Sequence, residues 1–565
     1  MTDANVTETN PRPVALPRAA ATVVVVRDAD EGMQVLLMRR AERSNDRSSG
    51  AFVFPGGTLD KGDRSLHGYC AGFDDATASA RLRLDRHGLD YFVAAVRECF
   101  EEAGLLFAYE ESGALTPLQQ LAAQELVEMR AAIRRGDTDL GAVCTRFGLR
   151  LAVDRLAYHS HWLTPPGLPK RFDTRFFVAV APHGQVASFD RLETLEHRWI
   201  RPADALGEGF GFRLPNATRQ TLESILPFAT ARACFEHAQG LGSIERIMPR
   251  VGHGAQGPRP VMPNEAAYAE IGRIDPEGTG TASFELLPGR WVQLSERVRR
   301  LTAPNGSVMT GPGTNTYFVG DPDGKAWAVI DPGPDDAGHV DAIVAAAPGP
   351  IRWILVTHTH RDHSPAAAAL KARTGAQLFG KRARFAEWQD AGFAPDRELA
   401  HGERVAVGAR STLRVIHTPG HASNHLCYLL EQEQTLFTGD HVMQGSTVVI
   451  NPPDGDMTAY LDSLRALLHE DLQWLAPGHG FLIERPADAI NRLIQHRLKR
   501  EQKVVDALRE GGPSEIATLL ARVYDDVPEL MHPVAQRSLT AHLLKLAADG
   551  VAREVEGRWS LMDSG

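Results

Sequence analysis

The stretch VTHTHRDH, residues 356–363, decides how the second half of this chain folds and what it binds. It overlaps the end of an apolar run, Ile351 to Val356, which predicts a β-strand, so its polar residues sit where a strand ends. Imidazole and carboxylate are ligands that zinc accepts, and the stretch offers three of the first and one of the second. Because one zinc ion takes about four ligands, these residues supply most of one site or half of two.

Three later segments repeat the pattern of an apolar strand that ends in a Gly-flanked loop with His or Asp. They are VIHTPGH, which ends at His421, TLFTGDH, which contains Asp440, and LAPGHG, which contains His479. Upstream, WAVIDPG places Asp331 in a similar loop. Ligands that recur at strand ends are typical of a two-metal site between two sheets.

These motifs, in this order over most of residues 291–485, resemble the metallo-β-lactamase superfamily. The resemblance implies an αββα sandwich that holds two Zn²⁺ ions and hydrolyses its substrate with an activated water. It assigns one ion to His358, His360 and His421 and the other to Asp362, His363 and His479, with Asp440 bridging them. It also gives Asp362 a catalytic role, orienting the water or accepting its proton, and Asp331 a supporting one. For His417, His425 and His441, packing or an outer-sphere role is expected.

A second group of acidic residues lies on a predicted helix, Tyr91 to Phe107, which stops at Gly104. Glu98, Glu101 and Glu102 stand at i, i+3 and i+4, so their carboxylates share one face. Hard oxygen ligands of this kind suit Mg²⁺ or Mn²⁺. Arg97 precedes Glu101 by four positions and is placed to orient it through an ion pair.

With the Gly-rich turn at Gly57, this helix resembles the box of the Nudix hydrolases. Asp63 replaces the first Glu of the box, and 33 residues (64–96) replace the usual seven, an insertion similar to the coenzyme A diphosphatase-like branch. The resemblance implies an α/β/α sandwich that cleaves a small-molecule diphosphate, a dinucleotide or coenzyme A. It places Mg²⁺ or Mn²⁺ at Glu98, Glu101 and Glu102, with Glu98 as the catalytic base and Arg97 and Gly57 in support.

Residues 439–467, GDHVMQGSTVVINPPDGDMTAYLDSLRAL, are similar to the β-lactamase-like protein 2 group, known for cleaving single-stranded RNA and for a C-terminal winged helix. Ala487 to Glu510 predicts a long basic helix, followed by helical pieces and a hairpin that turns at Glu556-Gly557. This order fits a winged helix. The basic helix is either a nucleic-acid contact or a solvated helix that covers the preceding domain.

The sequence therefore predicts an α/β and α+β multidomain protein. The predicted segments are a disordered tail (1–18), a Nudix-like domain (19–245), a linker (246–290), a metallo-β-lactamase-fold domain (291–486) and a winged helix (487–565). The net charge of −10 argues against a chain-wide polyanion-binding surface. Five scattered cysteines, and no apolar run near the ~20 residues of a membrane span, favour a cytoplasmic location without a membrane partner.

The expected function is a bifunctional metal-dependent hydrolase, a Nudix diphosphatase fused to a zinc enzyme that favours single-stranded RNA. One alternative is a thioesterase of the hydroxyacylglutathione or acyl-CoA type, although Ser364-Pro365 follow the histidine motif where Gly is typical of that group. Another is a non-enzymatic winged-helix regulator, against which the complete metal constellation speaks. The sequence leaves the substrates and the oligomeric state open.

Overall fold

The computed structural model describes residues 15–42, 49–111, 113–115, 123–189, 194–385 and 389–562. Residues 1–251 with 277–279 form one compact unit, and residues 252–276 with 280–565 form the other. Of the predicted tail, residues 1–14 lie outside the described part, and the first strand already begins at Arg18.

The first unit is built from eleven strands and seven helices in the described residues. The strands are β1 (Arg18–Ala29), β2 (Gly32–Arg40), β3 (Phe52–Val53), β4 (Gly56–Thr58), β5 (Cys70–Ala71), β6 (Ala108–Tyr109), β7 (Arg150–Ala152), β8 (Ala157–Leu163), β9 (Phe172–Val180), β10 (Thr194–Ile200) and β11 (Arg246–Ile247). The helices are α1 (Asp75–Leu82), α2 (Leu89–Ala103), α3 (Ala123–Arg135), α4 (Leu140–Phe147), α5 (Pro202–Leu206), α6 (Asn216–Ile225) and α7 (Ala231–Gly240).

The main sheet of this unit has the order β10-β2-β1-β9-β8-β11, with β3 beside β2 and β4 beside β1. The central strand β1 contains an unbroken apolar run, which is the pattern of a strand buried on both faces. Val23 and Val25 pack in the same core as α2, while the alternate residues Val24 and Val26 are equally buried. Covered on both faces, the sheet confirms the expected α/β fold of the Nudix-like domain.

The second unit continues with seventeen strands and seven helices in the described residues. The strands are β12 (Arg250–Gly254), β13 (Gly257–Val261), β14 (Trp291–Gln293), β15 (Val298–Thr302), β16 (Asn315–Gly320), β17 (Trp327–Ile330), β18 (Ile351–Leu355), β19 (Gln377–Gly380), β20 (Arg397–Glu398), β21 (Arg404–Ala406), β22 (Thr412–His417), β23 (Leu426–Leu430), β24 (Thr435–Gly439), β25 (Trp474–Pro477), β26 (Ile483–Glu484), β27 (Ala552–Val555) and β28 (Arg558–Leu561). The helices are α8 (Tyr268–Ile274), α9 (Ala337–Ala346), α10 (Ala366–Thr374), α11 (Met457–Leu467), α12 (Pro486–Gly511), α13 (Ile516–Val523) and α14 (His532–Ala548).

Two sheets, β14 to β20 and β21 to β26, each follow the order of the chain. One core joins Tyr317 and Val319 of the first sheet to Tyr428 and Phe437 of the second, so the sheets pack face to face. The outer face of the first sheet packs against α9 and α10, and that of the second against α11 and α12. This is the predicted αββα sandwich.

Residues 246–290, predicted as a linker, contain the hairpin β12–β13 and helix α8. Glu270 on α8 accepts two hydrogen bonds from Arg300 on β15, at 2.6 and 2.8 Å, and both side chains are buried. A buried ion pair of this geometry fixes α8 against the sandwich. Pro and Gly in the segment mark turns between these short elements, and the division between the two compact units falls within it, after Val251.

The boundary predicted at residue 487 falls at the start of α12, which belongs to two cores. Ile490 and Ile494 pack in the core of the sandwich. Val504 and Leu508 pack with α13, α14 and the hairpin β27–β28. One continuous helix therefore joins the sandwich to the winged helix. Among the described residues, no helix combines the length and the apolar character needed to cross a membrane.

Candidate metal centres

The predicted ligands of the second unit all follow strand ends. The histidine motif follows β18, Asp440 follows β24 directly, and His479 follows β25 by two residues. Strand β25 is parallel to β24, as β18 is to β17, so their carboxyl ends meet at one edge of each sheet. The structure thus brings together residues more than a hundred positions apart in the chain.

The first cluster consists of three imidazoles, His358, His360 and His421, with ligand atoms within 4.8 Å of one another. His360 Nδ1 lies 3.0 Å from Nε2 of His358 and 3.0 Å from Nε2 of His421. The predicted first ligand set is therefore assembled.

The second cluster contains Asp362, His363, Asp440 and His479. Asp440 Oδ1 lies 3.3 Å from Nε2 of both His363 and His479, and Asp362 Oδ2 lies 3.5 and 3.4 Å from the same two atoms. Ligands of a tetrahedral zinc about 2.0–2.1 Å from the ion lie roughly 3.3 Å apart. The spacing therefore fits a metal ion at the centre of the four residues.

Asp440 also reaches toward the first cluster, because its Oδ2 lies 3.8 Å from His421 Nε2. Its Oδ1 and the Nε2 of His363 are buried and have no hydrogen-bond partner among the described residues. Buried polar atoms are rarely left unpaired, so these two are expected to bind something else. Asp440 therefore lies within reach of both clusters, and its role as a bridging ligand stays a prediction.

Hydrogen bonds on the far side of each ring determine which nitrogen faces the cluster. Nδ1 of His421 donates to the carbonyl of Val449 (2.7 Å), and Nδ1 of His479 lies 3.2 Å from the carbonyl of Gly313. Nδ1 of His363 donates to Asp331 (2.9 Å). A proton held on Nδ1 leaves Nε2 as the lone-pair donor, which is the usual outer-sphere arrangement of metal-binding histidines.

Asp331, predicted to support the site, is hydrogen-bonded to two residues of the histidine motif. In addition to His363, it accepts hydrogen bonds from the backbone N–H and the hydroxyl of Thr357, at 2.7 and 2.8 Å. It has a φ of 51°, in the left-handed region that non-glycine residues rarely adopt. A strained backbone at this position aims the carboxylate under the histidine motif.

The electrostatics of the second cluster favour positive charge between its ligands. Burial alone would lower the pKa of His363, but the carboxylates of Asp362 and Asp440 raise it well above its ordinary value. Against the same effect of burial, Asp440 raises the pKa of His479 to about 9. In the first cluster, burial and the neighbouring histidines lower the pKa of His360 to about 3 and hold the rings neutral, as metal ligation requires.

Gly478 allows the loops of this site to approach each other. A Cβ there would lie 2.8 Å from both Asp440 Oδ1 and His363 Cε1. Gly439, before Asp440, has a φ of 45°. Glycines are needed at both positions because the ligand-bearing backbones come within the reach of one side-chain carbon.

The additional histidines lie outside both clusters. The His425 ring stacks on His358 with centroids 5.0 Å apart, and its Nδ1 lies 2.9 Å from the hydroxyl of Thr418. His441 packs between His425 and Tyr460. Both are buried, and the predicted packing or outer-sphere role is compatible with either contact.

A polar network beside the first cluster was not predicted. Asn424 donates to the hydroxyl of Thr359 (2.8 Å), which donates to Gln389 (2.5 Å), whose amide donates to Asp454 (2.9 Å). Asp454 also accepts from Ser423. The stretch PPDGDM, noticed in the sequence only as a family likeness, therefore braces the loops that carry His360 and His421.

In the first unit, Arg97 is the centre of the candidate Nudix site. Its guanidinium donates to both oxygens of Asp63, at 2.7 and 3.2 Å, and to Glu98 (2.9 Å) and Glu101 (3.3 Å). Asp63 is buried within a 3₁₀ helix, Lys61–Tyr69, that the insertion supplies. Asp63, which stands where the first Glu of the Nudix box is expected, is therefore ion-paired with Arg97 across the insertion.

The three glutamates share a face of α2 but do not form a closed group. Glu102 accepts from the backbone N–H of Gly56 (3.0 Å), whereas Glu98 and Glu101 accept from Arg97. Burial raises the pKa of Glu98 to about 7. Among the described residues, ligand groups of three or more within 4.8 Å are those of the second unit. The buried oxygen donors suit Mg²⁺ or Mn²⁺ chemically, and their assignment stays a prediction.

The predicted basic helix, α12, uses most of its cations internally. Arg497 and Arg500 are buried, and Arg500 pairs with Asp526 at 2.7 and 3.0 Å. Lys503 pairs with Asp525 and Arg509 with Asp506. Of the two alternatives for this helix, the structure favours the one in which it covers the preceding domain.

Comparisons with known proteins agree with this architecture. The Metallo-beta-lactamase superfamily model matches residues 309–479, the NUDT19 Nudix domain model residues 86–211 and the Beta-lactamase associated winged helix domain model residues 516–559. The Beta-lactamase-like protein 2 homolog of Drosophila melanogaster is 32% identical over 278 residues, which are 46% of this chain and 91% of that protein. The chain belongs to the metallo-β-lactamase superfamily. Its two catalytic domains make it a hydrolase, and the fold implies metal ions.

Relatives in this superfamily carry different names. The Atrochrysone carboxyl ACP thioesterase of Aspergillus chevalieri is 33% identical over 48% of this chain and 88% of that protein. The crystal structure of a beta-lactamase domain protein from Burkholderia ambifaria covers 49% of this chain and 95% of its own, with 22% identity and a TM-score of 0.44. Because the relatives from Drosophila melanogaster and Aspergillus chevalieri carry different names, membership of the superfamily does not identify the substrate.

Proposed function

We propose that the second unit is a two-zinc hydrolase that cleaves phosphodiester bonds in single-stranded RNA. The paired ligand clusters, rich in imidazole and carboxylate, support zinc. The observation that carries the substrate class is a basic segment, Lys381 to Arg384, attached to the loop of the metal ligand His421.

Two hydrogen bonds make this attachment. The side-chain amide of Asn424 donates to the carbonyl of Lys381 (2.9 Å), and the backbone N–H of Arg384 donates to the hydroxyl of Ser423 (3.2 Å). Ser423 and Asn424 follow His421 by two and three residues. The basic segment is thereby held at the rim of the metal centre.

The cations of this rim are available to a ligand. Arg382 pairs with Glu398, but among the described residues no carboxylate lies within ion-pair distance of Lys381, Arg384 or the exposed Arg361 of the histidine motif. Several cations beside one site are what a phosphate backbone needs for binding. The overall negative charge of the chain would confine such binding to this rim.

The residues of the second cluster differ in solvent exposure, and this difference indicates which of them can contact the attacking water. Bound zinc supplies a water of lowered pKa and a Lewis acid for the scissile phosphate. Asp362 has 27% of its side chain exposed, whereas His363 is fully buried and Asp440 11% exposed. Asp362 therefore faces the solvent side, where it orients the attacking water and accepts its proton.

The test is cleavage of an end-labelled single-stranded RNA by the zinc-loaded full-length protein. Cleavage is expected to stop with chelator and to return with zinc. Substituting Lys381 and Arg384 together by alanine should weaken RNA binding and reduce its salt dependence, because two phosphate contacts are lost. Arg352→Ala, which removes an exposed cation near the start of β18, should change neither. No cleavage by fully zinc-loaded protein would contradict the proposal.

The same test separates RNA cleavage from the thioesterase alternative. The relative from Aspergillus chevalieri is named a thioesterase, and a two-zinc site also suits thioester hydrolysis. Hydrolysis of acyl-CoA or acyl-glutathione without RNA cleavage would favour that activity. A winged-helix regulator without enzymatic activity would bind RNA equally well after His358 and Asp362 are both replaced by alanine.

For the first unit we propose Mg²⁺- or Mn²⁺-dependent hydrolysis of a dinucleotide or coenzyme A diphosphate. The supporting observation is the Arg97–Asp63 ion pair, which completes the Nudix box across the insertion. Arg97 holds Glu98 and Glu101 in place, and the buried Glu98, with its raised pKa, is suited to accept a proton. Release of a nucleoside monophosphate or phosphopantetheine product, unchanged in a His358→Ala variant, tests this function.

A further inference from the structure

We propose that the C-terminal helices α12 and α14 position the metal ligand His421 through the loop segment Val448–Ile450. The winged-helix region would then be part of the metallo-hydrolase scaffold. This inference does not depend on the substrate of the second unit.

The middle residue of the segment makes the contact with the ligand. The carbonyl of Val449 accepts the hydrogen bond from His421 Nδ1 at 2.7 Å. That bond selects the tautomer of His421 and directs its Nε2 toward His360. The orientation of the Val449 carbonyl therefore sets the orientation of the ligand.

The two flanking residues are bound by the C-terminal helices. The carbonyl of Val448 accepts a hydrogen bond from Nη2 of Arg497 on α12. The backbone N–H of Ile450 donates to the hydroxyl of Ser538 on α14, at 3.3 Å. A peptide carbonyl whose neighbours on both sides are bound to helices has little freedom to rotate.

The segment has no regular structure of its own to hold it. Residues 443–450 lie between β24 and α11 outside any helix or strand, and all of them are described. Within the described part of the chain, no backbone–backbone hydrogen bond involves these residues. The side chains from α12 and α14 therefore replace the backbone ladder that holds the other ligand loops.

Arg497 occupies a position that stability alone does not explain. It is 3% exposed, its Nε has no hydrogen-bond partner, and among the described residues no carboxylate pairs with it. Its guanidinium lies 5.5 Å from the ring centre of Tyr460. Burying a cation without a carboxylate costs free energy, and holding Val448 next to the metal centre accounts for that cost.

Arg500, one turn later on α12, offers a matched control. It is also a buried arginine that donates to a backbone carbonyl, but that carbonyl belongs to Val523, and its charge is paired with Asp526. Methionine is an uncharged side chain of similar length to arginine. Either substitution therefore removes one buried cation from the same helix. Of these two arginines, only Arg497 donates a hydrogen bond to the segment Val448–Ile450.

The test measures metal affinity of full-length variants by competition with a chromogenic chelator, together with the visible spectrum of the Co²⁺-loaded protein. Arg497→Met should weaken the binding of one of the two ions by about 10- to 100-fold, the usual effect of losing an outer-sphere partner, and should change the Co²⁺ spectrum. Arg500→Met should leave both unchanged, even where it lowers the melting temperature. Arg497→Lys should restore part of the affinity.

Should Arg497→Met fail to fold, Ser538→Ala decides, because it removes only the hydroxyl bound to Ile450. We expect several-fold weaker binding of one ion for Ser538→Ala. Thr540→Ala, which removes a half-buried hydroxyl that donates within α14 to the carbonyl of Gln536, should leave the affinity unchanged. Wild-type affinity and spectrum in folded Arg497→Met, or in Ser538→Ala where Arg497→Met does not fold, would overturn the proposal. An equal loss of affinity in Arg500→Met would also overturn it.

Discussion

Replacing Asp331 by asparagine is a sharp test of how the second cluster is held. In the wild type, one carboxylate oxygen of Asp331 accepts from the backbone N–H of Thr357, and the other accepts from the Thr357 hydroxyl and from Nδ1 of His363. Asparagine can keep its oxygen at the backbone N–H of Thr357. Its amide N–H₂ then faces His363.

After the substitution, the amide N–H of asparagine and the Nδ1–H of His363 are both hydrogen-bond donors and face each other without an acceptor. The Thr357 hydroxyl can rotate and accept, but the imidazole Nδ1–H cannot. His363 must lose the hydrogen bond or move its proton to Nε2, the atom that faces Asp362 and Asp440. A hydrogen bond to a charged group contributes about 1.5–3 kcal/mol, so the metal affinity of this cluster should fall by about 10- to 150-fold.

The assay is metal affinity of the full-length protein by chelator competition, with the melting temperature recorded with and without zinc. Asp321→Asn is the matched control. Asp321 is also buried and accepts hydrogen bonds from Ser411 and Arg410, but it follows the end of β16 and touches no histidine. Asp321→Asn should lose stability and keep its metal affinity. Unchanged affinity in Asp331→Asn, or an equal loss in both variants, would refute the reasoning.

Three further predictions concern residues of both units. Glu102→Gln should remove diphosphate hydrolysis by orders of magnitude and leave zinc content unchanged, as measured by product release and metal analysis. Gly57→Ala should have a similar effect, because its Cβ would overlap the carboxylate of Glu98. Arg300→Met should destabilise the second unit by about 3–5 kcal/mol in denaturant unfolding, since it leaves Glu270 buried and unpaired, and adding Glu270→Met should recover much of that loss.

A single result would contradict each of these three predictions. Diphosphatase activity retained in Glu102→Gln would show that the box no longer acts. Wild-type activity in Gly57→Ala would show that Glu98 is free to move away. A double variant of Arg300 and Glu270 no more stable than Arg300→Met would show that the pair does more than compensate two buried charges.

The members of the two clusters could be predicted from the sequence because their chemistry and their order are local properties. Imidazole and carboxylate at successive strand ends define the donor set, whatever the loops between them do. The pairing of Arg97 with Glu101 likewise follows from a spacing of four on one helix. What the spacing does not give is the partner of each carboxylate: in the structure Glu102 accepts from the backbone N–H of Gly56, whereas Glu98 and Glu101 accept from Arg97.

Contacts between distant segments could not be predicted from the sequence, because each depends on a partner far away in the chain. Glu270 stands among Pro and Gly residues, and its partners Arg300 and Leu482 are distant in the chain, so no local pattern encodes these contacts. The burial of Arg497, by contrast, is indicated by its position in the helix. It falls on the apolar stripe of α12 that includes Ile490, Ile494 and Val504, and a charged residue on such a stripe is either exposed by a break in packing or buried for a specific contact.

These contacts make the working unit of the metallo-hydrolase larger than the 309–479 segment that the family model matches. Before that segment, Glu270 on α8 accepts a hydrogen bond from the backbone N–H of Leu482, three residues after His479. After it, Arg497 and Ser538 bind the residues that flank Val449. Because a metal centre tolerates little error in the direction of its ligands, residues outside the matched segment share in setting its geometry. The segment that builds the site is therefore longer than the segment that folds as the sandwich. It extends to α8 on one side and to α14 on the other.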